Sequence, residues 1–318
     1  MPSSATDRRA IGIDVGGTKL LAALVDVSDA TTPTAVAGRP TPAGSDALVD
    51  ALAGLVDELD PAGSLPVGVG LPGLVDHGDR FRYGPNLPDV EGLDLGDVLG
   101  TRVGRRVVVD NDATCAAAAE FDFGAGRGHR DGILLTIGTG IGAGLVVDGA
   151  LRRGANGFAG EPGHMVVDRN GPECPCGRRG CWERFASGSG LGRLGREAAA
   201  AGRLSAVAER AGGAEAVRGE HVVAAARDGD LRAGAVLDEF AWWMAAGIAN
   251  LIDVLDPSIV VLGGGVMHGA DVLIDRVSAA VPTQVMGSGH RPPVEIVAAR
   301  AGVHAGALGA ALLAADSV

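Results

Sequence analysis

The sequence predicts an α/β protein of two similar domains around a cleft. Two glycine-rich stretches carry this prediction first. Ile11–Val27 (IGIDVGGTKLLAALVDV) and Ile133–Gly149 (ILLTIGTGIGAGLVVDG) align without gaps at a shift of 122 residues, with Gly16 on Gly138 and Asp26 on Asp148. Each reads as strand, tight turn, strand, so the chain repeats one unit. The length agrees, since 318 residues suit two domains and 47% hydrophobic residues suffice for a large core. The third observation is the alternation of short apolar runs with helical patterns, which belongs to α/β folds. Two glycine hairpins facing each other across a cleft could grip a polyphosphate from both sides.

In chain order, residues 1–9 read as a disordered tail. The first hairpin follows, with Gly16, Gly17 and Thr18 at its turn and Asp14 at the end of its first strand. Backbone N–H groups around paired glycines, followed by the hydroxyl of Thr18 and the cation of Lys19, form a phosphate cradle. The carboxylate of Asp14 could hold a metal-bound water. An ordinary hairpin explains this stretch as well when it is taken alone. Lys19 is the only lysine of the chain, and a drift towards arginine is the plainer account of that. Residues 46–59 have helical spacing with Ser45 as candidate N-cap, Val67–Leu71 is a short strand, and residues 81–88 are rich in turns. Arg106–Asp110 is a buried strand that runs into Asn111 and Asp112 and then an alanine-rich helix. Asp112 thus lies at the carboxyl end of a strand, where open α/β sheets bind ligands. It could equally be the helix cap.

Beyond the second hairpin, helices are expected at about 189–201, 219–228 and 231–255, with a loose connection or short helix over 202–219. Trp242 and Trp243 lie on the long helix, as core or subunit contact. Asp256-Pro257 ends it. Ile259–Leu262 is a strand that delivers Gly263, Gly264 and Gly265 to its end, either for close approach to a ligand or as a tight turn into a helix. Residues 294–298 form a strand, and 303–314 an apolar closing helix that packs back on the first domain. The domains are expected at 1–122 with 300–318, and at 123–299.

Glu161–Glu183 (EPGHMVVDRNGPECPCGRRGCWE) holds three of the four cysteines. Cys174, Cys176 and Cys181, with His164 ten residues ahead, supply a tetrahedral zinc set. Gly177 and Gly180 permit the turn that gathers the sulfurs. A disulfide would leave one of the three unpaired. Glu161 and Glu183 flank the cluster and are surplus to it, as acids that could bind something polar. The net charge of −12 argues against nucleic acid as a partner. Neither a signal peptide nor an apolar run long enough for a bilayer is expected, which places the chain away from membranes, in the cytoplasm.

Together, IGIDVGGTK, NDATCAAAAE, TIGTGIGAG, EPGH, CPCGRRGCWE and IVVLGGGV resemble the ROK family of sugar kinases, over residues 10 to 315. The resemblance implies the actin-like ATPase (ribonuclease H-like) fold. With PGLVD and GPNLP, the motifs look most like bacterial ATP-dependent glucokinases, which convert glucose to glucose 6-phosphate with ATP and magnesium. It further implies Asp112 as the base that takes the proton of the sugar 6-hydroxyl. Asn111, Glu161, His164 and Glu183 match the sugar-binding positions, with Asn86 and Gly73 as weaker contacts. His164, Cys174, Cys176 and Cys181 match the ligands of a structural zinc. Asp14, Gly16, Gly17, Thr18 and Lys19, with Thr136, Gly138, Thr139 and Gly140, match the phosphate-binding segments, and Gly263–Gly265 the adenosine site. Lys19 stands where the family keeps a lysine. Val90 departs from the pattern, because the family's glucokinases often carry Trp nearby. A homodimer or homotetramer is implied. Rival expectations are a kinase for N-acetylmannosamine, N-acetylglucosamine or fructose, and a sugar-responsive repressor or silent sensor. A polyphosphate-using kinase is a further rival, although such relatives resemble a branch without zinc.

Overall fold

The computed structural model describes residues 8–317. Residues 1–7 of the expected tail lie outside that range, while Arg9 already belongs to the first strand. The elements are β1 (Arg9–Val15), β2 (Lys19–Asp26), β3 (Ala35–Pro40), α1 (Ser45–Leu59), β4 (Val67–Leu71), β5 (Leu74–Val75), β6 (Phe81–Tyr83), α2 (Leu95–Val103), β7 (Val107–Asn111) and α3 (Asp112–Asp122). Next come β8 (Gly132–Ile137), β9 (Ile141–Val147), β10 (Ala150–Leu151), α4 (Glu183–Ala186), α5 (Gly188–Ala200), α6 (Ser205–Ala211), α7 (Gly219–Arg227) and α8 (Leu231–Leu255). The chain ends with β11 (Ile259–Gly263), α9 (Ala270–Ala280), β12 (Glu295–Ala298) and α10 (Ala305–Ala315).

The internal repeat is a repeat of topology. The first sheet runs β3-β2-β1-β4-β7 and the second β10-β9-β8-β11-β12, each with five strands. In the first, β1 pairs antiparallel with β2 and parallel with β4, which pairs parallel with β7. In the second, β8 pairs parallel with β11, which pairs parallel with β12. The hairpin strands recur within a residue of the shift read from the sequence. Strands buried on both faces read as continuous apolar runs, as in VGVGL of β4 and IVVLG of β11.

The chain divides into two units. Unit 1 comprises the chain up to His129, Gly144–Gly160 and the chain from Arg300 onward; unit 2 comprises Arg130–Ala143 and Glu161–Ala299. In unit 1, one face of the sheet packs Ile11, Ile13 and Val69 against Leu52, Leu55 and Leu99 of α1 and α2. The other face packs Ala10, Ala23 and Val25 against Ala307, Leu308 and Ala311 of α10. That helix is apolar all round and lies so close to the sheet that a Cβ at Gly12 or Gly68 would collide with the backbone at Ala307 or Ala310. Glu120, fully buried at the end of α3, accepts hydrogen bonds from the N–H groups of Arg300 (2.8 Å), Ala301 (2.6 Å) and Ala125 (2.8 Å). The carboxylate therefore ties down the segment that re-enters unit 1.

Several local expectations change. Gly44, not Ser45, is the N-cap of α1, and the Ser45 hydroxyl donates instead to the Asp89 carbonyl at 3.3 Å. The stretch 81–88 includes β6, paired with β5. Residues 202–219 contain α6, a short helix. Asp256 ends α8 in the left-handed conformation (φ 47°) before Pro257. By length and composition α8 is apolar enough to cross a membrane, contrary to expectation. Its Phe240, Met244, Ile248 and Ile252 are buried and it packs against α7 and α9, so its apolarity has a core to account for it.

Candidate active site and metal centre

In unit 1 the chemistry gathers at the ends of β1 and β7. The first hairpin closes with Gly16 N–H on the Lys19 carbonyl at 2.9 Å, and Thr41 Oγ1 donates to the Gly16 carbonyl at 2.6 Å. The Thr18 carbonyl accepts from Thr41 N–H at 3.1 Å. Gly17 and Thr18 are exposed, and a Cβ on Gly17 would stand 3.6 Å from Cβ of Asn86, so the hairpin tip and Asn86 are neighbours. Asp14 is densely surrounded at the strand end, and this burial lifts its carboxyl to about 6.

The cap of α3 lies one residue before Asp112. Asn111 is the N-cap of α3: its side-chain oxygen accepts from Thr114 N–H at 3.0 Å, while its Nδ2 donates to the Gly73 carbonyl at 3.1 Å. Asp112 is the first helical residue, and its Oδ1 accepts from Ala113 N–H at 2.8 Å. The adjacent Asp110, which the sequence did not mark, is buried. It accepts from Asn111 N–H at 2.8 Å and pairs with Arg153 Nε at 2.5 Å. Burial raises the Asp110 carboxyl and Arg153 opposes the rise.

Unit 2 holds the thiol cluster. One ligand atom from each of His164, Cys174, Cys176 and Cys181 lies within 4.8 Å of the others. Cys176 and Cys181 Sγ are 3.6 Å apart, and Cys174 Sγ is 3.8 Å from His164 Nδ1. Tetrahedral zinc with Zn–S of about 2.3 Å needs ligand separations near 3.7 Å, so these four side chains fit the ion. All four cysteines are free thiols. Burial pushes the Cys174 thiol up, so a thiolate there needs the charge that a cation brings. Gly180 makes the loop possible: its φ is 70°, and a Cβ would collide with the Asp168 carbonyl.

The two acids border this cluster. Glu183 Oε1 accepts from Cys174 Sγ at 3.0 Å and lies 3.8 Å from His164 Nδ1. Its Oε2 occupies the space beside Gly140, where a Cβ would stand 2.5 Å away, so one carboxylate joins the thiol loop to the second hairpin. Glu161 Oε2 is 3.9 Å from His164 Nε2, on the other side of the imidazole. Burial, and then the charge of Glu183, lift the Glu161 carboxyl to about 7.

The second hairpin closes with Gly138 N–H on the Gly140 carbonyl at 3.0 Å. Gly188 N–H donates to the Gly138 carbonyl and Ser189 Oγ to the Thr139 carbonyl, both at 2.8 Å, which fastens the tip to the start of α5. Thr136 pairs with Gly263 across β8 and β11, and Gly264 (φ 87°) passes so close to β8 that a Cβ would stand 2.5 Å from Ile137 N. Gly138, Thr139 and Gly265 line one cavity of about 920 Å³. Trp243 stacks on Phe185 with ring centroids 4.2 Å apart, while Trp242 is exposed.

Known proteins match this arrangement along nearly the whole chain. The glucokinase of Streptomyces coelicolor is 38% identical over 314 residues, 96% of each chain. That of Thermotoga maritima is 36% identical over 303 residues, 95% of each. A crystal structure of a ROK family glucokinase from Streptomyces griseus in complex with glucose and AMPPNP superposes with a TM-score of 0.86. It is 37% identical and covers 97% of this chain and 99% of that one. The fold is the actin-like ATPase fold of that glucokinase and of a ROK hexokinase from Thermus thermophilus, and both five-stranded sheets here repeat one order. The ROK family model spans residues 10–317, and the chain belongs to the ROK family.

Proposed function

We propose that the chain is an ATP-dependent glucokinase that phosphorylates the 6-hydroxyl of glucose. The observation that carries this reading is the full-length likeness, at 37% identity, to a kinase structure that binds glucose and AMPPNP together. The labour divides among residues of both units. Asp112 is the general base that takes the proton of the attacking hydroxyl, and Asn111 beside it caps α3. Asn111, with Asn86 and the Gly73 backbone, Glu161, His164 and Glu183 bind the sugar hydroxyls. His164 can serve both tasks, since Nδ1 faces the thiols while Nε2 points to the Glu161 side.

Gly16–Lys19 and Thr136–Gly140 hold the phosphates, Gly263–Gly265 the adenosine, and Asp14 a water of the magnesium ion that travels with ATP. Positioning and charge neutralisation carry most of such a transfer. Zinc, bound by His164, Cys174, Cys176 and Cys181, fixes the loop that carries Glu161 and Glu183. We assign the two halves of the kinase to 1–122 with 300–318 and to 123–299. A homodimer or homotetramer that covers Trp242, in a reducing cytoplasm that keeps the thiols free, completes the reading.

A coupled assay with MgATP and a panel of glucose, mannose, fructose, N-acetylglucosamine and N-acetylmannosamine tests it. Turnover on glucose is expected, with kcat reduced roughly 10²- to 10⁴-fold in Asp112→Asn and the glucose KM little changed. Preference for an N-acetyl sugar would overturn the substrate, and an active Asp112→Asn would overturn the base.

A further inference from the structure

Asp110 is a buried carboxylate at the end of β7, two residues before Asp112, and neither sugar, phosphate nor metal is assigned to it. Its partner across the sheet is Gly70, where a Cβ would stand 3.2 Å from Cys115 Sγ and 3.4 Å from Cα of Asp112. Asp110, Asp112 and Cys115 therefore crowd around one glycine. The other charged or titratable groups at this strand end are Arg153 from the loop after β10, His77 and Asp79 from the turn between β5 and β6, and Asp14 from β1, whose charge reaches the same thiol. Arg153 is the permanent cation in this set.

Both carboxylate oxygens of Asp110 are engaged: Oδ1 accepts from Asn111 N–H at 2.8 Å, and Oδ2 from Arg153 Nε at 2.5 Å. The first bond fixes the β7–α3 junction, and the second brings the counterion. Arg153 reaches β7 from a fixed frame. Its carbonyl accepts from Ala159 N–H at 3.0 Å, and the Gly154 carbonyl lies 3.0 Å from His77 Nε2. Gly157 (φ 94°) passes so close to β5 that a Cβ would stand 2.4 Å from the Val75 carbonyl. All of these groups belong to unit 1. A buried ion pair gives little net stability over apolar groups of the same volume, whereas a lone buried carboxylate is costly and takes up a proton. Stability alone is therefore a poor reason for such a pair, and its value lies in what it holds.

We propose that Asp110 and Arg153 are positioning residues for the phosphoryl transfer, a charge-balanced pair that holds the β7–α3 junction and keeps Asp112 aligned and ionised; this rests on Asp112 being the base. Burial raises the Asp110 carboxyl and the Arg153 charge opposes the rise, so with Arg153 in place the two charges cancel beside Asp112. Without Arg153 the Asp110 anion is uncompensated, and the neighbouring carboxylates bind protons more tightly. Without Asp110 the guanidinium stands unbalanced, and Asp112 binds its proton less tightly. The two losses push the base in opposite directions, which disturbed packing does not do.

The test is the pH profile of kcat, with glucose and MgATP both saturating, in wild type, Asp110→Asn, Arg153→Met, Arg153→Lys and the double variant Asp110→Asn/Arg153→Met. The acid limb, where the base takes up its proton, should move up by roughly 0.5–1 pH unit in Arg153→Met and down by a similar amount in Asp110→Asn. In the double variant it should return towards wild type. On the plateau, kcat should fall roughly 10- to 100-fold in Arg153→Met, with glucose KM within about threefold, because Asn111 keeps its bonds to Thr114 and Gly73. Arg153→Lys should recover part of kcat and of the limb. Limbs that stay in place, or move the same way in both single variants, would reduce the pair to a structural role and overturn the proposal, even where kcat falls. Should Arg153→Met fail to fold, Asp110→Asn carries the test alone, since its limb must move down. An active wild type, silenced by Asp112→Asn but with unmoved limbs in the pair variants, leaves the glucokinase reading standing and sinks this proposal alone. A wild type that phosphorylates no sugar takes both away.

Discussion

Asn111 and Asp112 compete for one cap, and sequence leaves the choice open. Both are good caps, and only the backbone at the β7–α3 junction decides that Asn111 fills the role. Asp14 offers a pH test at the same scale. Its folded value of about 6 stands above the unfolded 3.8, so its contribution to stability is complete below pH 3.8 and is lost as pH rises through 6. Asp14→Asn removes that loss. The ligand-free variant should therefore be more stable than wild type at pH 7.5, by about 3 kcal/mol, and close to it near pH 4. Urea midpoints at the two pH values check this. The same variant should lose the thermal stabilisation that MgATP gives wild type.

Two elements, the thiol loop and the second hairpin, meet through the Glu183 carboxylate. Loss of the metal should therefore disturb Glu183 and, with it, the proposed sugar contact. Cys176→Ser is expected to bind less than one equivalent of zinc by elemental analysis and to raise glucose KM roughly 10- to 100-fold. A metal-free variant with unchanged glucose KM would contradict this. The thiol loop, both hairpins and the long helix were legible because each rests on residues that few other structures need: three cysteines and a histidine, paired glycines, or a long apolar period. β3 and α2 were not, since β3 is exposed along most of its length and α2 buries only Leu95 and Leu99.

Over the whole molecule, unit 1 depends on two distant parts of the chain, joined by Glu120 and by α10. Glu120→Ala leaves three backbone donors without their acceptor inside the protein. A loss of about 3–5 kcal/mol in urea unfolding is expected, with Glu120→Gln between it and wild type. A loss under about 1 kcal/mol would mean that water replaces the carboxylate. The closeness of α10 to β1 and β4 also bears on how the protein is made. At about 5–20 residues per second, roughly 10–35 s separate the synthesis of His129 from that of α10. During that wait the face of the first sheet around Gly12 and Gly68 has no cover, while the residues of unit 2 are being made. A nascent chain stalled before Ala305 should thus hold a first half that still needs a chaperone.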